Sequence, residues 1–146
     1  MLRIELPNDD LVRTFDAKGN LIYELDYQYH SEGIVVGRHF GYQNLEETRE
    51  LFMNVILERW RIRPMPKALV DYRLAISTLK ADLPLWLTEE FYPSIAQAGL
   101  KYQAVVIVAD PMHLGTVYFT QPASLRHFQM RIFFEAEPAM AWLRSC

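Results

Sequence analysis

The sequence predicts an α/β fold: one domain built on a mixed, mostly parallel sheet of about five strands, with an N-terminal β-hairpin and about four helices. Three observations carry this. Residues 105–108 form a continuous β-branched run, Val105-Val106-Ile107-Val108. The run is too short to span a membrane and too uniformly apolar for a strand with one wet face, so it reads as a central strand buried on both sides. Residues 67–73, Lys67-Ala68-Leu69-Val70-Asp71-Tyr72-Arg73, repeat the design of an apolar strand ending in a charged loop. Ahead of both, residues 21–40 alternate and turn back on themselves as a hairpin does.

Residues 1–20 read as an extension. Leu2, Ile4 and Leu6 alternate, which suits a short edge strand, and Pro7-Asn8-Asp9-Asp10 ends it. The clearest strand is residues 21–29, with Leu21, Tyr23, Leu25, Tyr27 and Tyr29 on one face and Glu24, Asp26 and Gln28 on the other. Ser31-Glu32-Gly33 turns the chain and residues 34–40 return. The tyrosine stripe reads as a packed face rather than a stacking platform for bases, since its reverse side is acidic.

Asn44 is suited to cap the first helix, with Glu47 three residues on as in a capping box. Glu46 and Glu47 complement the positive end of that helix, and Arg59 and Arg61 its negative end. Its buried stripe is expected to hold Leu45, Leu51, Phe52, Val55, Ile56 and Trp60. Arg63-Pro64-Met65-Pro66 stops it. A second helix is expected to open at Asp82-Leu83-Pro84, to kink or divide at Pro93 and to stop at Gly99. A third would run from Asp110 to about Phe119. The last strand, residues 130–134, leads into a closing helix that starts Glu135-Ala136-Glu137-Pro138 and ends at Arg144. Residues 21–146 therefore form the α/β domain proper, its last four strands parallel through right-handed crossovers.

Composition narrows the function. The chain has 146 residues, 51% hydrophobic and 23% charged, enough for one packed domain. A net charge of −3 offers no basic excess for phosphates, which argues against a nucleic-acid partner. The single cysteine, Cys146, excludes an internal disulfide and a cysteine-rich zinc site. No apolar run reaches the roughly 18 residues that a spanning helix needs. The N-terminus lacks the long apolar stretch of a signal peptide, so the expected location is cytoplasmic.

The order of these pieces resembles the STAS-like superfamily, the domains of anti-sigma-factor antagonists and sulfate transporters, whose fold is related to lipid-binding CRAL-TRIO domains. The resemblance covers residues 21–144. It rests on the hairpin running into Gly41-Tyr42-Gln43-Asn44-Leu45-Glu46-Glu47, the strand Ala68-Leu69-Val70-Asp71, the Val105–Val108 strand and the close Phe133-Phe134-Glu135-Ala136-Glu137-Pro138-Ala139-Met140-Ala141-Trp142-Leu143. It implies a non-enzymatic domain, of the kind found in bacterial regulators, that acts by binding a protein partner. In the antagonist branch a serine after the second strand is phosphorylated, in an Asp-Ser setting followed closely by Gly. Here the stretch is Ala75-Ile76-Ser77-Thr78-Leu79, which has hydroxyls without that Asp or Gly. Ser77 and Thr78 are its candidates for a phospho-switch.

Ligands of parallel α/β sheets sit beyond the C-terminal strand ends. That rule makes Asp71, Arg73, Asp110 and His113 candidates for binding an anion or, in an enzyme, moving a proton. The plainer reading pairs Arg73 with Asp71 and makes Asp110 a helix cap. There is no nucleophile elbow, P-loop or dinucleotide glycine pattern, and His30, His39, His113 and His127 are scattered, so no cofactor or metal is expected. The aromatic residues Trp86, Phe91, Tyr92, Tyr118 and Phe119, with the CRAL-TRIO kinship, allow a small-molecule or lipid-binding module. That alternative requires an apolar cavity of about 300 Å3 or more between sheet and helices. An exposed tyrosine strand at a sheet edge would be a pairing template and would allow a homodimer.

Overall fold

A computed structural model describes residues 1–76, 85–110 and 124–146. These residues form one mixed sheet of seven strands with three helices packed on its faces. The strands are β1 (Arg3–Asn8), β2 (Leu11–Phe15), β3 (Leu21–Asp26), β4 (Ile34–Tyr42), β5 (Lys67–Ile76), β6 (Tyr102–Val106) and β7 (Gln129–Phe133). They lie side by side in chain order. The first three pairings are antiparallel and the last three parallel. The sheet is thus evenly divided and larger than the mostly parallel five strands expected, because residues 1–20 contribute two strands of their own.

Those two strands answer the question of what covers β3. Its free side is taken by β2, and β1 becomes the edge. The middle of the sheet is β4 and not β6. β6 is nevertheless an interior strand with both faces dry: Val105 packs on one side, Ala104 and Val106 on the other. The apolar run outlasts the strand, and Val108 is already 38% exposed.

Helix α1 spans residues 45–62 and begins with the capping box. The Asn44 side chain accepts from the Glu47 N–H at 2.8 Å, and the Glu47 carboxylate accepts from the Asn44 N–H at 3.3 Å. Its middle, Leu51–Ile56, widens into π-helical turns. Leu51, Phe52, Val55, Ile56 and Trp60 are buried, with Leu57 added. Leu45 is 57% exposed, against expectation, because it sits at the first helical position beyond the reach of the sheet. The Trp60 indole donates to the Met65 carbonyl at 3.0 Å and fixes the turn into β5.

Helix α2 covers residues 85–97. It is π-helical over Leu87–Phe91 and α-helical over Tyr92–Gln97. Pro93 lacks an N–H, so the ladder widens just before it instead of breaking, and the kink expected there takes this form. Gly99, at φ +123°, stops the helix. Its N–H donates to the Ala96 carbonyl and the Leu100 N–H to the Ile95 carbonyl, which is the Schellman pattern.

α1 and α2 cover one face of the sheet and build the larger core, with Leu25, Val35, Phe52, Leu87, Phe91 and Val105 among its members. Helix α3 (Ala136–Ser145) covers part of the other face, setting Ala139 and Leu143 against Ile34, Leu69 and Val106. Tyr29 lies past the end of β3 and joins this second cluster, so it leaves the stripe of Tyr23, Leu25 and Tyr27. The expected helix from Asp110 to Phe119 and the Asp82 cap lie outside the described residues. Among the described residues no helix is long and apolar enough to cross a membrane.

Candidate functional site

A cavity of about 120 Å3 lies between the sheet and helices α1 and α2. The odd positions of β4 and the even positions of β5 form its floor: Gly37 and His39 from one strand, Ala68, Val70 and Tyr72 from the other. This follows from period-two alternation, because Val35 and Val105 on the same face pack into the core beneath α1 and α2. Phe52 and Ile56 of α1 and Leu87 and Phe91 of α2 form the roof. All four roof residues belong to the π-helical turns of their helices. Wide turns of this type are frequent at functional sites, since they re-aim side chains that a regular helix would send elsewhere.

One end of the cavity is polar. His39 is 4% exposed, and its ring stacks on Tyr72, centroids 4.4 Å apart and planes 16° from parallel. Tyr23 meets the same histidine at 4.7 Å in a tilted arrangement. Among the described residues, the His39 ring and the Tyr23 hydroxyl have no hydrogen-bond partner. The Tyr23 hydroxyl reaches across β4 to within 2.8 Å of where a Cβ on residue 37 would stand, so only glycine leaves room for it. Gln43, also buried, donates its amide to the Ile22 carbonyl at 3.4 Å.

Burial dominates the electrostatics here. It lowers the His39 pKa from 6.5 to about 3, with the nearby Asp71 charge opposing, so the imidazole is neutral. It raises the Tyr23 hydroxyl well above its ordinary value, helped by the neighbouring phenols of Tyr27 and Tyr72. The Tyr72 hydroxyl is raised for the same reason, with Tyr92 adding. The polar end therefore presents an uncharged imidazole and two protonated phenols.

The strand ends favoured by the sequence lie elsewhere. β5 does not stop at Asp71 but continues to Ile76, so Asp71 and Arg73 belong to the strand. A bulge places Tyr72 and Arg73 opposite the single residue His39, since the register passes from Arg38↔Asp71 to Phe40↔Leu74. Asp71 neighbours Arg38 on the face away from the cavity. Its carboxylate is gripped by Arg73, with contacts at 3.0 Å to Nε and 2.8 Å to Nη2. Burial would raise the Asp71 carboxyl, but the hydrogen bonds from Arg73 and the charges of Arg73 and Arg38 hold it below its ordinary value. The pair belongs to a ladder of charges that includes Arg13–Glu24, Arg38–Glu24 and Arg38–Asp26.

Asp110 follows β6, where its N–H donates to the Val108 carbonyl at 2.9 Å. His113, Ser77 and Thr78 lie outside the described residues. The sequence reading missed His39, Tyr23 and Tyr72 as a group. The available signal was their alternation with Val35 and Leu25, which put a histidine on an inward strand position. Among the described residues no cluster of His, Cys, Asp or Glu has the form of a metal site. No family model, curated protein or solved structure matches the chain.

Proposed function

We propose that the chain is a small-molecule-binding module of STAS-like type, whose ligand lies between the sheet and helices α1 and α2. The carrying observation is a dry cavity with unspent polar groups at one end: a buried neutral imidazole and a buried phenol that no described residue satisfies. Such groups cost free energy unless something fills the vacancy with a matching donor or acceptor. At about 120 Å3 the cavity is smaller than the about 300 Å3 that the lipid reading required. Its size suits one ring, since an engineered apolar cavity of about 150 Å3 holds benzene. The test is thermal unfolding with phenol, toluene and indole in excess. A bound ligand at about a hundredfold its Kd adds about 2.7 kcal/mol, which raises Tm. Val70→Phe, which fills the floor, should abolish the shift while the circular dichroism spectrum is retained. No shift with any of the three would defeat the reading.

The second reading is a regulatory domain that docks on a protein partner, with Ser77 and Thr78 as its phospho-switch. It is favoured by exposed apolar side chains where β4 and β5 end, at Tyr42, Leu74 and Ile76. If this surface docks, Leu74→Glu with Ile76→Glu should remove whatever protein the wild type captures. Equal capture by both forms would sink it.

A further inference from the structure

The chemistry of the cavity wall specifies a ligand class more narrowly than its size does. Among the described residues that line it, none is charged. The nearest acidic group, Asp71, is engaged by Arg73 on the far face of the sheet. An ion entering this space would lose its hydration and meet no counter-charge, which costs far more than burying a neutral group.

We infer that the cavity takes an uncharged ring compound bearing one hydroxyl, a phenol-type ligand, and rejects the corresponding carboxylate. This rests on the cavity being a binding site, as proposed above, and adds the identity of what it selects. The ring would lie among Phe52, Ile56, Leu87 and Phe91, which supply apolar and aromatic surface. The hydroxyl would reach the polar end. A neutral imidazole has one donor and one acceptor nitrogen, so His39 can accept the ligand proton while the Tyr23 hydroxyl donates to the ligand oxygen. Each buried group then gains the partner it lacks, and the ligand spends both its donor and its acceptor. A carboxylate offers acceptors only and brings a charge that nothing opposes. Toluene fills the same volume and leaves the protein groups unsatisfied.

Gly37 acts in this scheme as a specificity-determining position. A methyl group there would stand 2.8 Å from the Tyr23 oxygen and force the phenol of Tyr23 to move within the cavity. The positioning of the polar end thus depends on a residue that has no side chain.

The experiment is isothermal titration of the wild-type chain at neutral pH with phenol, benzoate and toluene, followed by the same three with Tyr23→Phe and Gly37→Ala. Phenol should bind roughly tenfold or more tightly than benzoate and more tightly than toluene. Tyr23→Phe should erase the preference for phenol over toluene without weakening toluene. Gly37→Ala, which keeps every hydrogen-bonding group, should weaken phenol and provides the test should Tyr23→Phe fail to fold. Benzoate binding as well as phenol, or an unchanged phenol preference in both variants, overturns the inference while leaving a binding site. Failure of all three compounds to bind the wild type overturns the site itself.

Discussion

The rings of His39 and Tyr72 stack face to face at 4.4 Å across the seam between β4 and β5. The bulge in β5 makes this contact, because it sets Tyr72 beside His39 where a regular ladder would allow one residue alone. The stack seals the histidine from water, and sealing keeps it uncharged.

That state has a consequence for stability against pH. The unfolded chain takes up a proton on residue 39 as pH falls below 6.5, whereas the folded chain resists until about 3. The unfolded form therefore binds more protons across this window, and stability is lost as pH falls through it, by up to about 1.4 kcal/mol per pH unit. Tyr23 and Tyr72 face the ring and stay protonated throughout, while Asp71, on the other face, opposes the shift. Urea unfolding at a series of pH values should show a shallower slope for His39→Phe than for the wild type. Identical slopes would mean that the imidazole is not held neutral.

Asn44 closes the start of α1 with both halves of a capping box in place. Asn44→Ala removes one of them and leaves the Glu47 N–H to solvent. The expected cost is about 1 kcal/mol, or about 2–4 °C in Tm for a chain of this size. Calorimetry of the variant decides it, and a Tm equal to wild type would show that the cap adds nothing beyond what water supplies.

How much of this was legible in the sequence follows from what each signal reports. The capping box, the Gly99 stop and the β-branched β6 run are local, and local chemistry survives into the fold. β1 and β2 were read only as an extension, because their pairing depends on β3 being open at one side, which is a tertiary fact. The length of β5 was hidden by Asp71 and Arg73, a pair that resembles a loop until the bulge is seen to put them on the wet face of the sheet. The site was the least legible. Tyr23, Gly37, His39 and Tyr72 come from three strands, and their meeting depends on register and on two helices widening above them. Ser77, Thr78 and His113 belong to stretches outside the described residues.

Leu143 anchors α3 to the second face. It is fully buried, packed with Ile34, Leu69 and Val106, and no other helix among the described residues covers that cluster. Leu143→Ala should cost about 2–5 kcal/mol, the range for a large aliphatic side chain removed from a core that cannot collapse around the gap. The cavity lies on the opposite face, so ligand binding by the folded fraction should be unchanged. Denaturant unfolding gives the first quantity and titration with phenol the second. A loss below about 1 kcal/mol would mean that α3 is less firmly seated than its burial indicates.

The Asp71–Arg73 pair distinguishes the two places where a ligand has been looked for. Both side chains are committed to one another through two close contacts, and Arg73 is 39% exposed. Solvent screens such a pair, so Arg73→Met should change stability by about 1 kcal/mol or less. The Asp71 carboxyl, held low in part by that partner, should titrate at higher pH in the variant, a shift readable by carboxyl-carbon NMR. If the site is the cavity on the other face, phenol affinity should be the same in Arg73→Met and wild type. A marked fall in affinity would return the site to the charged strand face and remove His39 and Tyr23 from it.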